Sequence, residues 1–271
     1  MAQPENKVFI CGSVRDCATY IPAVFENIRR IIPLFNDFHI IMSLDVSSDN
    51  SFELIQAHRR YFKDKMCVLY NTAPLPGIRV ERISNSRNRI LNRIRDVLKF
   101  KQDFNLFIMI DCDDVCATKI KPEILSKYLS RTDWSGLSFN RRDYYDIWAL
   151  SFSPYMYSCW HFIDAKQVIN EMRTQIQKHL SKLGVDELFQ CSSAFNGFSI
   201  YRISDFINCE YDWRIDYSYF TLEIFKLNAI HAKSSPVKRE PNQDCEHRMF
   251  HFQAIRKNNA RIMISPLYLF E

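Results

Sequence analysis

The 271-residue chain predicts an α/β fold in which a mixed, mostly parallel sheet is flanked by helices. Two observations carry that expectation. Over the first 140 residues, short apolar runs alternate with longer stretches of helical period, the pattern of strands joined by crossover helices. One run, Leu-Phe-Ile-Met-Ile at 106–110, is apolar at every position and stops abruptly in Asp111-Cys112-Asp113-Asp114, as a buried strand does at a polar sheet edge.

The elements follow in order. Lys7 to Cys11 reads as a first strand and is followed by a helix near Ile21 to Ile32, with Pro22 in its first turn. His39 to Leu44 is a second strand. Ser48-Asp49-Asn50 supplies caps for a helix carrying Phe52, Ile55 and Tyr61-Phe62. Met66 to Tyr70 is a third strand, Pro74 to Gly77 a turn, Asn85 to Lys99 a helix, and Leu106 to Ile110 the fourth strand. Beyond residue 140 the pattern loosens. Trp134 to Phe139 reads as a strand, 143–161 as an aromatic-rich irregular stretch, and Ala165 to Leu183 as a helix. Ala194 to Tyr201 reads as a strand interrupted at Asn196-Gly197, Lys233 to Pro241 as a loop, and Ala260 to Leu267 as a last short strand.

Composition narrows the function classes. Hydrophobic content of 47% with 25% charged residues is ordinary globular composition, and a chain of this length defaults to one large domain. Only five glycines occur, where average usage of about 7% would give roughly nineteen. None has the spacing of a glycine-rich phosphate loop. No apolar run approaches the roughly 18 residues that cross a bilayer, and the first residues show no apolar signal core. A cytoplasmic protein without a transmembrane segment is therefore expected. The nine cysteines are scattered without a C-x-x-C pair, which fits buried thiols in a reducing compartment better than a disulfide framework or zinc knuckle. A net charge of +5 is too mild to indicate nucleic acid.

Asp111 and Asp113 are the centre of the chemical reading. Positions i and i+2 of an extended segment project to one side, so both carboxylates meet at the end of a buried strand, where open α/β sheets bind ligands. Adjacent carboxylates repel, and one takes up a proton unless a cation lies between them. A divalent ion with oxygen ligands and open positions fits; a strand-end turn rich in Asp is the bland alternative. Arg87 falls on an apolar stripe of Ile83, Ile90, Ile94 and Val97, and a buried guanidinium needs an anion. With Ser84 or Asn85 as cap, Arg87 and Asn88 would occupy the first helical turn, and a diphosphate or a structural carboxylate would satisfy Arg87 equally well. Residues 79–101 hold eight Lys and Arg against two acids. His247, in Asp244-Cys245-Glu246-His247, suits a manganese-like ion or a structural role. Gly197, inside an apolar strand, suggests a bulge or a close backbone approach.

The order of these pieces resembles the GT-A class of nucleotide-sugar glycosyltransferases, and most nearly the small cytoplasmic members encoded by large DNA viruses such as chloroviruses. The resemblance rests on Phe9-Ile10-Cys11 with Arg15-Asp16, Ser84-Asn85-Ser86-Arg87-Asn88, Ile110-Asp111-Cys112-Asp113, Tyr145-Asp146-Ile147-Trp148-Ala149-Leu150, Ser193-Ala194-Phe195-Asn196-Gly197 and Cys245-Glu246-His247. It implies a single GT-A-like, Rossmann-like domain over 1–271, with 1–114 as the nucleotide-binding half and 115–271 as the sugar- and acceptor-binding half. It also implies a metal-dependent hexosyl- or pentosyltransferase. Asp111, Asp113 and His247 would hold Mn²⁺ or Mg²⁺. Arg15, Asp45, Arg87, Asn88, Asp111, Cys112, Asn196 and Gly197 would contact a nucleotide-sugar donor, UDP-linked in preference to GDP-linked. The acceptor would be a glycan or glycoprotein, with no nucleic acid partner. An inverting reaction would need a carboxylate base, for which Asp146, Asp186 and Glu187 are candidates; a retaining one would not. A metal-dependent phosphodiester enzyme, a sugar nucleotidyltransferase and a silent binding protein are the competing classes.

Overall fold

The computed structural model describes residues 5–73 and 76–271, so Pro74 and Leu75 of the expected turn lie outside the described residues. The elements are β1 (Lys7–Val14), α1 (Ile21–Ile31), β2 (Asp37–Leu44), α2 (Ser51–Phe62), β3 (Met66–Tyr70), α3 (Arg79–Leu98), β4 (Leu106–Asp111), α4 (Pro122–Leu129) and β5 (Gly136–Asn140). They continue with α5 (Ala165–Leu180), β6 (Phe189–Cys191), β7 (Phe198–Arg202), α6 (Ile203–Phe206), α7 (Leu222–Ala232), α8 (Glu246–Asn258) and β8 (Ile262–Tyr268). The chain divides into two compact units. One holds the chain to Thr132, Gly197–Ile207 and Leu269–Glu271; the other holds Asp133–Asn196 and Asn208–Tyr268.

The expected α/β class with a mostly parallel mixed sheet is what the chain adopts. In the first unit the strands run in the order β3-β2-β1-β4-β7, all parallel except the antiparallel pair β4 and β7. In the second, β8 pairs parallel to β5 and antiparallel to β6. Strands β1 and β4 are covered on both faces, which is why Val8 to Cys11 and Leu106 to Ile110 are buried throughout. Helix α1 covers the sheet with Ile21, Val24, Phe25, Ile28 and Ile31, an i, i+3, i+4 stripe that starts behind the pre-set φ of Pro22. At the head of α2, Asn50 makes no side-chain cap; Asp49 instead accepts from the Ser51 and Ala18 amides, tying the helix start to the segment after β1.

Helix α3 differs from expectation. It begins at Arg79, six residues earlier than the spacing predicted, and Ser84 and Asn85 lie inside it. The buried stripe Val80, Ser84, Arg87, Leu91 and Ile94 continues without a break through that region, so the helix has packing to extend into. Arg87 and Asn88 therefore occupy its third turn, and a role for them at free first-turn amides is withdrawn. Helix α8 escaped the sequence reading altogether. His247, Arg248, Met249, Phe250, His251 and Phe252 are all buried, so the first two turns have no exposed side and give no amphipathic period to detect.

Candidate donor and metal site

The first unit gathers one pocket at the carboxyl ends of its parallel strands. Ser13, Val14, Arg15 and Cys17 come from the end of β1 and the turn after it, Asp45 from the end of β2, and Asp111, Cys112 and Asp113 from the end of β4. Helix α3 closes it with Arg79, Arg82, Ile83, Ser86 and Arg87. Those five positions follow i, i+3, i+4, i+7, i+8, one continuous helical face. In an open sheet this is the edge where ligands bind, because the strands diverge there and the crossover helices leave a crevice.

Each functional side chain is held by a neighbour. Arg87, buried on the α3 stripe, donates from Nη2 to Asp111 Oδ1 at 3.0 Å. Ser86 Oγ lies 2.9 Å from Ser13 Oγ and pins α3 to β1. The Asp111 amide donates to the Gly197 carbonyl at 2.8 Å, and the Cys116 thiol donates to the same oxygen at 3.1 Å. That carbonyl is aimed by two consecutive left-handed residues, Asn196 (φ 56°) and Gly197 (φ 88°); glycine adopts the second without a Cβ penalty. Gly12, in mid β1, admits the Cys112 thiol: a Cβ there would lie 2.6 Å from Cys112 Sγ.

The two carboxylates at the end of β4 differ in their surroundings: Arg87 bonds Asp111, while burial is the main influence on Asp113. Burial, and after it the charge of Asp111, push the Asp113 carboxyl up to about 6. The Asp113 side chain also accepts from the Val115 amide, which fixes its rotamer. Burial pushes the Cys17 thiol up to about 11 and Cys112 well above its ordinary value, so neither is a thiolate nucleophile near neutral pH. Asp45 is satisfied by the protein: Arg89 Nη2 donates to its Oδ1 at 2.7 Å and Asn71 Nδ2 at 3.0 Å.

Of the residues the sequence singled out, Arg15, Asp45, Arg87, Asp111, Cys112 and Asp113 come together in this pocket. Gly197 reaches it through its carbonyl on Asp111. Asn88 is half-buried on α3 and is not among the lining residues. The remainder lie in the second unit. Asn196 donates to the Phe139 carbonyl at 3.0 Å and accepts from the Asp146 amide at 3.4 Å, while the Asp146 carboxylate accepts from the Ala149 amide. Asp186 and Glu187 are exposed between α5 and β6, where Glu187 accepts from the Gly184 amide at 2.6 Å. His247 is buried on α8, stacked on Phe195 with ring centroids 3.7 Å apart, and its Nε2 lies 3.8 Å from Glu246 Oε1. Arg79 and Arg82 join the pocket unforeseen by the sequence expectations, and the 3–4 spacing of 79, 82 and 86 is the signal that places them on its side of α3.

A divalent cation fits the carboxylate pair. The two carboxylates share a polar pocket as oxygen donors, and a cation between them would relieve the repulsion that, after burial, raises the Asp113 carboxyl. Among the described residues no group of three or more His, Cys, Asp or Glu side chains is arranged to hold a metal ion, so the pair would need ligand oxygens to complete a coordination sphere.

No family model and no curated protein matches the chain. It is similar in fold to solved structures of low identity. A mycobacterial protein is 9% identical over 96% of this chain and 65% of its own, with a TM-score of 0.51. S. aureus TarS 1-349 in complex with UDP-GlcNAc is 11% identical over 97% of this chain and 57% of its own, at 0.49. M. tuberculosis glucosyl-3-phosphoglycerate synthase is 10% identical over 74% of this chain and 58% of its own, at 0.42. The chain thus spans about three-fifths of the length of these proteins, and the likeness to the first is one of fold. Among the described residues no helix is long and apolar enough to cross a membrane.

Proposed function

We propose that the chain is a GT-A-type glycosyltransferase that binds a nucleoside diphosphate sugar in the pocket of the first unit. The observation that carries the reading is the Asp111 and Asp113 pair at the end of β4, faced by the arginine-rich side of α3. In this reading 1–114 supplies the nucleotide-binding half, and the donor is UDP-linked in preference to GDP-linked.

Bound at Asp111 and Asp113, Mn²⁺ or Mg²⁺ would supply Lewis-acid charge to the diphosphate oxygens. Arg79, Arg82 and Arg87 would donate to those oxygens. When the bond between the anomeric carbon and the diphosphate breaks, negative charge grows on the leaving group, and pre-placed guanidinium donors stabilise it without reorganising. Arg87 already bonds Asp111, so it keeps the carboxylate aimed while it faces the phosphates. The sugar would pass to a glycan or glycoprotein hydroxyl. An inverting course would draw its base from Asp146, Asp186 or Glu187.

A thermal-shift panel of nucleoside diphosphates and their sugars, with and without Mn²⁺, tests this, because a ligand that binds only the native state raises the melting point. UDP or a UDP-sugar with Mn²⁺ is expected to stabilise the parent and Asp143→Ala but not Asp113→Ala. A panel in which no nucleotide acts overturns the reading.

A further inference from the structure

Helix α7, in the second unit, is apolar both where it meets the protein and where it meets water. Phe225, Asn228 and Ala232 form its inner face. Phe225 packs edge-on against Tyr157 with ring centroids 4.8 Å apart, and the Asn228 side chain accepts from the Tyr157 amide at 2.9 Å. At about 100° per residue, Ile230 falls opposite that face, with Leu222 and Leu227 to either side of it. Ile230, Leu222 and Leu227 are 71%, 69% and 42% exposed. Ile163, whose amide donates to the Ser235 carbonyl just past the helix end, is exposed as well. A surface helix ordinarily turns polar residues outward, and one that is hydrophobic all round is ordinarily covered.

Size and charge decide what could cover it. The eleven residues of α7 make a face about 16 Å long and about 10 Å wide, far less than the roughly 800 Å² per side that a stable protein interface buries. The helix is also shorter than the roughly 20 residues that cross a bilayer, so it can lie in a membrane surface but not span one. Residues 222–239 carry Lys226, Lys233, Lys238 and Arg239 against Glu223 alone, all of them exposed. Counting the flanking Asp164, Lys166 and Glu240, five bases face three acids. Lys226 sits between Leu222 and Ile230 on the outward face, one turn from each. Inserted apolar side chains bordered by lysines match an anionic lipid surface: acyl chains take the apolar groups, and the ammonium heads reach phosphates on apolar stems.

We propose that α7 docks the protein on an anionic phospholipid bilayer, lying in the headgroup plane with Leu222, Leu227 and Ile230 inserted and Lys226 and Lys233 on the lipid phosphates. The proposal rests on the second unit alone and is independent of the donor reading.

The test is co-sedimentation of the full chain with phosphatidylcholine vesicles containing about one-third phosphatidylserine, pure phosphatidylcholine serving as the comparison. The parent is expected to sediment with the anionic vesicles, less with the neutral ones, and less again as salt rises. Ile230→Ser is expected to weaken binding several-fold and Ile230→Trp to tighten it, because indole favours the interface. So exposed a position should tolerate both without a change in melting temperature. Lys226→Gln is expected to weaken binding about fivefold. Phe100→Ser, which removes an exposed aromatic of the first unit, is expected to change nothing. UDP binding is expected to be unchanged in Ile230→Ser, so this proposal and the donor reading fail separately. A chain that stays in solution with both vesicles, or binds them equally in the parent and both Ile230 variants, overturns the proposal. An equal loss in Phe100→Ser overturns α7 as the docking element, and equal binding to neutral vesicles overturns the part given to the lysines. Self-association that Ile230→Ser abolishes, without vesicle binding, assigns the face to a second copy and overturns the lipid.

Discussion

Arg87 reaches from the third turn of α3 to the end of β4 and donates to the Asp111 carboxylate across 3.0 Å, with only 6% of its side chain exposed. The pair joins the one cation on the buried stripe of α3 to the carboxylate that repels Asp113. Removing the cation would leave a mostly buried carboxylate beside a second one. Arg87→Met is expected to cost on the order of 2–4 kcal/mol in urea unfolding. Arg87→Lys should recover part of it, since an ammonium keeps the charge but not the planar fork. An unchanged midpoint in Arg87→Met would mean that Asp111 is stabilised by solvent instead.

Arg79 separates binding from folding. It is exposed at the head of α3 yet lines the pocket proposed to hold the donor. Arg79→Ala is expected to leave the melting temperature within a degree or two while weakening UDP affinity about three- to tenfold, the worth of one solvent-accessible charge-assisted bond. Titration at two salt concentrations checks the assignment: the variant should show the shallower salt dependence, because one fewer charge meets the phosphates.

Gly12 marks how closely the segment after β4 packs on β1. A Cβ at this position would meet Cys112 Sγ at 2.6 Å and the Ile110 carbonyl and Met42 Sδ at 3.1 Å each. Gly12→Ala is expected to destabilise by about 1–3 kcal/mol. The double variant Gly12→Ala, Cys112→Ala should regain part of that loss, because the tightest clash is with the thiol. Thermal unfolding of the parent, Gly12→Ala, Cys112→Ala and the double variant reads the coupling.

His58 supplies an acid-sensitive term. Its ring stacks on Phe25 with centroids 3.8 Å apart, and burial, with the Arg29 charge second, lowers its pKa to about 4. The unfolded chain protonates it near pH 6.5. Between those values the unfolded state holds a proton that the folded state does not, so stability falls as pH drops from about 6.5 to about 4 and is unaffected above that window. His58→Phe keeps a stacked ring and removes the titration. Denaturant midpoints at about pH 7 and about pH 5 should therefore differ less in the variant than in the parent; an equal difference would show that His58 does not contribute.

Much of this was legible along the chain. Strand and helix periods are local properties, so β3 was expected at its observed bounds and α1 within a residue, and the all-apolar run ending in Asp111 located the sheet edge where ligands bind. Arg87 on an apolar stripe demanded a buried anion before any partner was known. The stripe Arg79, Arg82 and Ser86 was written at helical spacing but was obscured by placing the helix start at Asn85. A polar Ser-Asn-Ser segment reads as a cap only until Val80 and Leu91 are seen to continue the buried face.

The sequence by itself determined the α/β class, the D-x-D at a strand end, and the need of Arg87 for a negative partner. Tertiary structure decided that the partner is Asp111, that Asp45 is already bonded by Arg89 and Asn71, and that His247 stacks on Phe195 in a helical turn buried on every side. The reason is physical. Periodicity records how each segment meets the average interior, whereas the pairing of two particular side chains depends on the register and rotation of elements far apart in the chain, which local spacing does not encode.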